Sequence, residues 1–289
     1  MRLGVHLVNF GFPGGTAAMA PTLAELGRAC DDAGVDVLSC MDHFFQLGFL
    51  GTAEEPMLEG YTTLGFLAAH TSRVELQLLV TGVTYRHPGV LAKTMSTLDV
   101  LCGGRSVLGI GAGWYEREHR GLGVPFPPLR DRFELLEETL QVVRQMWSDD
   151  DGPYRGKHFT LEETLCSPQP IRRPPVMVGG TGERKALRIV ARYADACNIF
   201  AGGEQGAAWV AGKLEVLREH CEREETSYDA IRKTILWTPT VEPGPGFVEE
   251  MRAMADIGVE EVHVMHHGAD PVPWVRALGD RVVPGLSGL

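Results

Sequence analysis

The sequence predicts an α/β protein whose strands close into a (β/α)8 TIM barrel with insertions. Short apolar runs alternate with longer amphipathic segments along all 289 residues. Runs that are apolar on both faces are typical of parallel strands covered by helices. Eight such runs favour a closed barrel over an open doubly wound sheet, because closure uses all eight repeats. Since α/β barrels often use about 250 residues as one domain, we expect a single domain over residues 1–289.

The strand and helix predictions follow from the period of the apolar residues. The predicted strands are, in chain order, residues 3–10, 35–43, 74–83, 105–113, 175–182, 194–202, 231–241 and 260–267. A helix over 21–34 places four residues on one face: Leu23, Leu26, Cys30 and Ala33. A second helix over 132–147 repeats apolar residues at helical spacing: Phe133, Leu136, Leu140, Val143 and Trp147.

Three longer segments interrupt this alternation. Residues 44–60 and 114–130 follow the second and fourth strands, and residues 149–174 follow the fourth helix. Loops that follow the strands of a barrel build its active-site mouth, so we expect the first two segments to form substrate walls. The third begins at the opposite end, and we expect residues 154–161 within it to form a small hairpin.

The amino-acid composition limits the classes of molecule that can be binding partners. The chain carries 27 Lys and Arg against 38 Asp and Glu, a net charge of −11. Such a surface repels nucleic acid and anionic lipid, so neither is expected as a partner, and a small-molecule substrate is. With no secretory signal pattern and no apolar run of membrane-spanning length, the sequence predicts a cytoplasmic protein. The six cysteines form no C-x-x-C pair, which predicts reduced, mostly buried thiols.

Unusual residues gather where the predicted strands end. Asn9, Asp42, His43 and the glycines of 109–113 and 179–182 all take such positions, which indicates a flat ligand across the mouth. His43 could hydrogen-bond such a ligand while Asp42 orients it, although a capping Asp and a packed His remain the alternative. The other histidines give weaker evidence of a functional role. We expect His6, His87 and His263 to be structural. His266 and His267 point to opposite faces of a strand and have no carboxylate cluster beside them, so we expect no metal site.

The glycine turn at 179–182 opens a predicted helix. Free backbone N–H groups and the helix dipole at such a turn favour an anion, which is consistent with a phosphate site. No Lys-Ser or Lys-Thr pair follows the last glycine, and bare glycine turns also occur without a ligand. Both readings stay open on these residues alone.

Four segments together resemble a known family. They are Leu3–Leu7, Asp42–His43, Val80–Gly123 and residues 174–200. The chain resembles the bacterial luciferase-like monooxygenase superfamily, specifically its coenzyme F420-dependent oxidoreductase branch. The similarity extends over roughly residues 1–200 and fades beyond them. It implies a (β/α)8 barrel, in agreement with the strand count.

The resemblance also implies a set of cofactor contacts. Members of the family bind a flavin or deazaflavin at the mouth, against a non-prolyl cis peptide at the end of strand three, which would be Gly82–Val83 here. His43 would lie at the ring edge. The other implied contacts are Thr81, Gly82 and Val83 under the ring, Gly111, Ala112 and Gly113 along the tail, and Gly179, Gly180 and Thr181 at the phosphate.

One difference between this sequence and a member type of the family affects the expected substrate. In the deazaflavin-dependent glucose-6-phosphate dehydrogenases the strand-four motif resembles G-x-G-E, whereas here Trp114 follows Gly113. A sugar phosphate is therefore disfavoured. With Asn9, Phe44 and Phe45, Trp114 would form a substrate wall suited to a hydrophobic or aromatic molecule. The alternative is that these apolar residues pack at a subunit interface.

The predicted function is a coenzyme F420-dependent oxidoreductase that moves hydride between the deazaflavin C5 and an organic substrate. His43 would be hydrogen-bond partner or proton donor, with Asp42 as its orienter. An FMN-dependent luciferase-like monooxygenase is the first alternative, and a non-catalytic flavin-binding protein is an alternative of another class. The resemblance and the apolar helices after strands two and three predict a homodimer, and a partner reductase remains open.

Overall fold

The computed structural model describes residues 1–289, and all eight predicted strand positions are confirmed. The strands are, in chain order, β1 (Arg2–Leu7), β2 (Val37–Cys40), β3 (Glu75–Leu78), β4 (Thr81–Gly82), β5 (Ser106–Gly111), β6 (Tyr154–Arg155), β7 (Thr160–Leu161), β8 (Val176–Gly179), β9 (Ala196–Ala201), β10 (Arg232–Trp237) and β11 (Glu261–Met265). All pairings are parallel except the β6–β7 hairpin. The sheet order is β3-β2-β1-β11-β10-β9-β8-β5-β4, and a pairing of β3 with β5 closes the barrel.

Helices connect the strands on the outside of the barrel. They are α1 (Thr16–Ala33), α2 (Gly60–Ala68), α3 (Pro88–Leu101), α4 (Glu116–Leu122), α5 (Leu129–Met146), α6 (Ala186–Tyr193), α7 (Ala207–Arg223), α8 (Pro245–Ala255), α9 (Pro271–Arg281) and α10 (Val283–Leu286). The predicted start of the first helix at residue 21 is wrong, because Pro21 lies inside α1. The second predicted helix is confirmed as α5, with Leu136, Leu140 and Val143 buried.

The third barrel position differs from the prediction in one respect. The run predicted as a single strand over 74–83 is divided into β3 and β4, and the non-prolyl cis peptide lies between Leu79 and Val80. The expectation of a cis bond at Gly82–Val83 is therefore wrong. Val83 hydrogen-bonds to the neighbouring strand, because its N–H donates to Gly111 O over 3.0 Å. Its side chain is buried in the outer core.

The third insertion contains the predicted hairpin. Tyr154 pairs with Leu161 and Arg155 with Thr160 in antiparallel register. The Glu138 carboxylate on α5 accepts hydrogen bonds from the N–H groups of the turn, at 2.8–3.1 Å. The hairpin is thus attached to α5 by a carboxylate that satisfies its turn.

The core has two parts. A cluster of 62 buried residues lies between the strands and the helices. Alternate strand positions point into the barrel, where a smaller apolar cluster of nine residues fills the lumen: Val8, Met41, Leu47, Leu79, Val107, Met177, Ala196, Leu236 and Met265. All six cysteines are buried. None of the helices is both long enough and apolar enough to span a bilayer.

Candidate active site

His43, which follows β2 at the mouth of the barrel, is held by a carboxylate from another element. Its Nδ1 lies 2.9 Å from Oε2 of Glu118 on α4. The Glu118 side chain has no exposed surface, and that of His43 is 14% exposed. The insertion after β5 therefore brings a buried carboxylate under a partly exposed imidazole.

Glu118 accepts four hydrogen bonds. Its Oε1 accepts the N–H groups of Phe44 and Phe45 at 2.6 and 2.8 Å, while Oε2 accepts from His43 Nδ1 and from the Tyr85 hydroxyl at 2.6 Å. Burial by itself raises the pKa of Glu118, but the hydrogen bonds from His43, Phe45 and Tyr85 outweigh it and hold the pKa below its ordinary value. Glu118 is consequently an anion at neutral pH.

This arrangement sets the tautomer of His43. An ionised carboxylate only accepts hydrogen bonds, so the proton of the neutral imidazole lies on Nδ1. Nε2 then carries a lone pair and forms no hydrogen bond within the protein. A carboxylate that holds Nδ1–H and leaves Nε2 open to a substrate is the usual arrangement of a catalytic histidine base.

Aromatic rings surround His43. Trp114 and Tyr115 each meet its ring edge to face, with centroids 5.7 Å away. Phe49, from the insertion after β2, stacks against Trp114 at 6.4 Å and 26°. Trp114 is 56% exposed and Phe49 is 74% exposed, so the pair presents apolar surface to solvent beside the imidazole.

Asp42 does not orient His43, and that expectation is wrong. Its carboxylate forms a bidentate pair with Arg86 at 2.7 and 2.9 Å and accepts the Gly82 N–H at 3.0 Å. Consecutive residues at a strand end point to opposite sides, which is why Asp42 faces Arg86 and His43 faces Glu118. Asp42 instead connects the end of β2 to the segment that contains Val80.

The strand-end glycines leave room for that segment. A Cβ at Gly109 would lie 2.1 Å from Leu78 O, and Cβ atoms at Gly111 and Gly179 would lie 3.0 and 2.9 Å from the Val80 methyl groups. The Val80 side chain therefore packs at the mouth against Gly111 and Gly179, where no side chain is in its way. The structure places Val80, rather than Val83, against the lumen cluster.

The glycine turn after β8 has the features of an anion site. Gly180 has a φ of +134°, which glycine adopts without strain. Its N–H donates to Asn198 O at 3.2 Å, whereas the N–H groups of Thr181 and Gly182 donate to no protein acceptor. Only Ala186 lies within 4 Å of a Cβ built at Gly180 or Gly182. Two free amides in the turn that precedes α6 by four to five residues fit a phosphate group.

Most of the other predicted site residues contact neighbouring groups of the protein. Asn9 uses its side chain to accept the Gly11 N–H at 2.6 Å, and Thr81 Oγ1 is 2.7 Å from the Tyr61 hydroxyl. Phe44 packs on Tyr85 with centroids 5.1 Å apart, and a Cβ at Gly121 would lie 2.7 Å from Phe45. Both phenylalanines thus pack against protein. Ala112 is partly buried beside the core, and Gly113 has a φ of +73°.

Sequence reasoning missed Glu118, Tyr85 and Arg86. Glu118 stands in the charged run 115–120, where it resembles the solvated Glu116. A short amphipathic helix directly after a strand end was the available signal, because such a helix turns one face toward the mouth. Nothing in the local pattern shows which glutamate faces inward.

The chain is similar to known proteins over most of its length. A family model described as luciferase-like monooxygenase matches residues 1–274. An F420-dependent glucose-6-phosphate dehydrogenase of Kineococcus radiotolerans is 30% identical over 233 residues, covering 79% of this chain and 66% of the relative. A pyrimidine monooxygenase RutA of Allorhizobium ampelinum is 29% identical over 177 residues, covering 59% and 48%. The matched segments cover between about half and two thirds of the length of the relatives they match.

Solved structures share the fold. An F420-dependent secondary alcohol dehydrogenase in complex with an F420-acetone adduct superposes with a TM-score of 0.84 at 16% identity, covering 99% of this chain and 98% of that chain. The monooxygenase RslO1 from Streptomyces bottropensis gives a TM-score of 0.77 at 18% identity, covering 98% and 99%. At these identities the likeness establishes the barrel fold alone.

Proposed function

The chain belongs to the luciferase-like monooxygenase family of oxidoreductases, and we propose that it is a coenzyme F420-dependent oxidoreductase acting on a hydrophobic or aromatic organic substrate. The observation that carries this proposal is His43, held by Glu118 through Nδ1 and open at Nε2. When bound, the deazaflavin supplies the hydride donor or acceptor at its ring carbon C5. Relatives named as F420-dependent dehydrogenases support the choice of cofactor.

His43 would manage the substrate proton. In the oxidation of an alcohol, Nε2 accepts the hydroxyl proton as hydride leaves the carbon, and in the reverse direction Nε2–H returns it. Glu118 stabilises the imidazolium that forms, because its negative charge lies 2.9 Å from Nδ1. Glu118 thereby acts as a positioning residue, the role that Asp42 was expected to fill.

The cofactor would lie between His43, Val80 and the glycine turn after β8. Val80 and the backbone of β5 offer the ring an apolar floor, while the free amides of Thr181 and Gly182 suit a phosphate of the tail. Thr81, Gly82, Val83, Gly111, Ala112, Gly113 and Gly179 surround this path. Among them Val83 would act only through its backbone, since its side chain is buried in the core.

The substrate would lie beside His43 against Trp114. An exposed indole stacked with an exposed phenyl ring favours a molecule with an apolar or aromatic surface. The hydrogen-bond partner of His43 is Glu118 and its ring partners are Trp114 and Tyr115, and none of these three is a cation that would bind a sugar phosphate.

An FMN-dependent monooxygenase is the second candidate, because other relatives carry the name pyrimidine monooxygenase. Titration of the apoprotein with coenzyme F420 and with FMN, followed by cofactor fluorescence, separates the two. We expect F420 to bind at least tenfold more tightly. Tighter binding of FMN would overturn the choice of cofactor, and tight F420 binding with no turnover of any alcohol or ketone would favour a non-catalytic binding protein.

We also propose a homodimer formed through the groove between α2 and α3. This groove encloses about 550 Å³ and is lined mainly by apolar and small residues, among them Gly65, Val90, Leu98, Leu101 and Leu165. Leu101 and Leu165 are 66% and 62% exposed. A second copy of the chain would remove this surface from water. Burial of exposed aliphatic side chains is favourable, so this surface suits an interface.

A further inference from the structure

The Tyr85 hydroxyl donates to the same carboxylate oxygen that holds His43. Tyr85 Oη lies 2.6 Å from Glu118 Oε2, and His43 Nδ1 lies 2.9 Å from that oxygen. The two backbone amides that Glu118 also binds donate to Oε1 instead. Oε2 is therefore shared by a titratable ring and a phenol, and the proton transfer proposed for this site uses only the ring.

Three neighbours fix the position of the Tyr85 ring. His119 of α4 stacks on it with ring centroids 4.6 Å apart at 22°, and Phe44 meets it edge to face at 5.1 Å. A Cβ at Gly82 would lie 2.7 Å from the ring, so a side chain at that position would displace it. Packing on three sides thus directs the hydroxyl at Glu118, as expected of a group whose position matters to a site.

Tyr85 is a neutral donor to Glu118 at neutral pH. Burial raises the pKa of Tyr85, and the adjacent Glu118 charge raises it further, so the hydroxyl keeps its proton. The other charges that act on Tyr85 are Asp42 and Arg86, which pair with each other at 2.7 and 2.9 Å. The negative charge therefore stays on Glu118.

Glu118 is the charge to which the His43 ring responds. The two aromatic side chains that contact the ring are Trp114 and Tyr115. The buried His6 of β1 also interacts electrostatically with His43, but burial lowers the pKa of His6 to about 3, so His6 is uncharged at neutral pH. A change in the hydrogen bonds of Glu118 should consequently reach His43 directly.

We propose that Tyr85 is a positioning residue that acts on His43 through Glu118 and weakens the hold of the ring on a proton. A hydrogen bond that stabilises the carboxylate charge leaves less of that charge to stabilise an imidazolium at Nδ1. The inference rests on the proposed function, in which Nε2 accepts a substrate proton and must release it again in each turnover. Without the phenol, the ring keeps its proton to higher pH.

NMR titration of the apoprotein with labelled histidine tests this, and the His43 signal is the one missing from His43→Asn. In Tyr85→Phe we expect the midpoint of the His43 titration to move to higher pH by about 0.5–1 pH unit, a roughly three- to tenfold gain in proton affinity. Tyr193→Phe is the matched control, because the Tyr193 hydroxyl also donates to a glutamate, Glu137, at 3.0 Å on the outside of the barrel. Its midpoint should equal that of the wild type.

The Glu118→Gln background separates an effect through the carboxylate from a direct one. In that background Tyr85→Phe should no longer move the His43 midpoint, since two residues that act through one group are not additive. Melting curves establish that each variant is folded. Should Tyr85→Phe fail to fold, Tyr85→3-fluorotyrosine keeps the hydroxyl, makes it a stronger donor and should move the midpoint to lower pH.

Four results would overturn the proposal: an unchanged midpoint in a folded Tyr85 variant, a move in the opposite direction, an equal move in Tyr193→Phe, or a full effect in the Glu118→Gln background. The titration needs neither cofactor nor substrate, so its failure is distinct from failure of the proposed function. A moved midpoint in a protein that oxidises no alcohol with coenzyme F420 would overturn the proposed function and leave the assignment of Tyr85 standing.

Discussion

Glu118 Oε2 lies 2.9 Å from His43 Nδ1, although the two residues are 75 positions apart in the chain. The same oxygen accepts the Tyr85 hydroxyl, and the other oxygen accepts two backbone amides of the loop that carries His43. The carboxylate thus fixes both the ring and the backbone that presents it. The order of this loop therefore depends on one buried charge, and so would the proton transfer that we propose for His43.

Replacing His43 by Asn should abolish proton transfer while it preserves much of the local shape. We expect the turnover rate with any accepted substrate to fall by about 10² to 10⁴, which corresponds to roughly 3–5 kcal/mol. The melting temperature should change little, and cofactor affinity should be largely kept. A variant with wild-type turnover per folded molecule would remove His43 from the mechanism.

Glu118→Gln should reduce stability in a pH-dependent way. Because the pKa of Glu118 is lowered in the folded state, its charge stabilises the fold above the ordinary glutamate pKa of about 4.3 and stops doing so as pH falls through the lower folded value. At pH 7 we expect a loss of about 1–3 kcal/mol, since charged hydrogen bonds are removed. Urea unfolding of both proteins should show the gap narrowing toward acid pH, whereas a gap independent of pH would contradict the assignment.

Gly180→Val should weaken cofactor binding about tenfold or more, equivalent to roughly 1.4 kcal/mol. The change strains a φ of +134° and places a branched side chain beside the free amides. Gly258→Val is the matched control, because Gly258 also has a positive φ, +91°, in an open loop between α8 and β11. Fluorescence titration should show weaker binding only in the first variant. Equal affinities in the two would place the phosphate elsewhere.

Leu101→Glu should dissociate the proposed dimer, because it places a charge in the apolar groove between α2 and α3. Light scattering should report twice the 31.6 kDa chain mass for the wild type and a single chain for the variant. Leu129→Glu is the control, since Leu129 is 55% exposed and lies outside the groove. A wild type of one chain mass would rule out the dimer.

The sequence alone determined the barrel and the location of its mouth. Strands and helices differ in the period of their apolar residues, and that period is local, so eight strand positions could be read without any contact being known. The same reasoning found His43 and the glycine turn at 179–182, because both stand at the ends of recognisable strands.

Only the tertiary structure decided which side chains meet. Glu118 rather than Asp42 holds His43, and the cis peptide lies at Leu79–Val80 rather than Gly82–Val83. Hydrogen-bond partners such as Glu118 and His43 come together only after the barrel closes. A single-residue change in where a strand ends reverses the direction of a side chain, so such contacts cannot be read from periodicity.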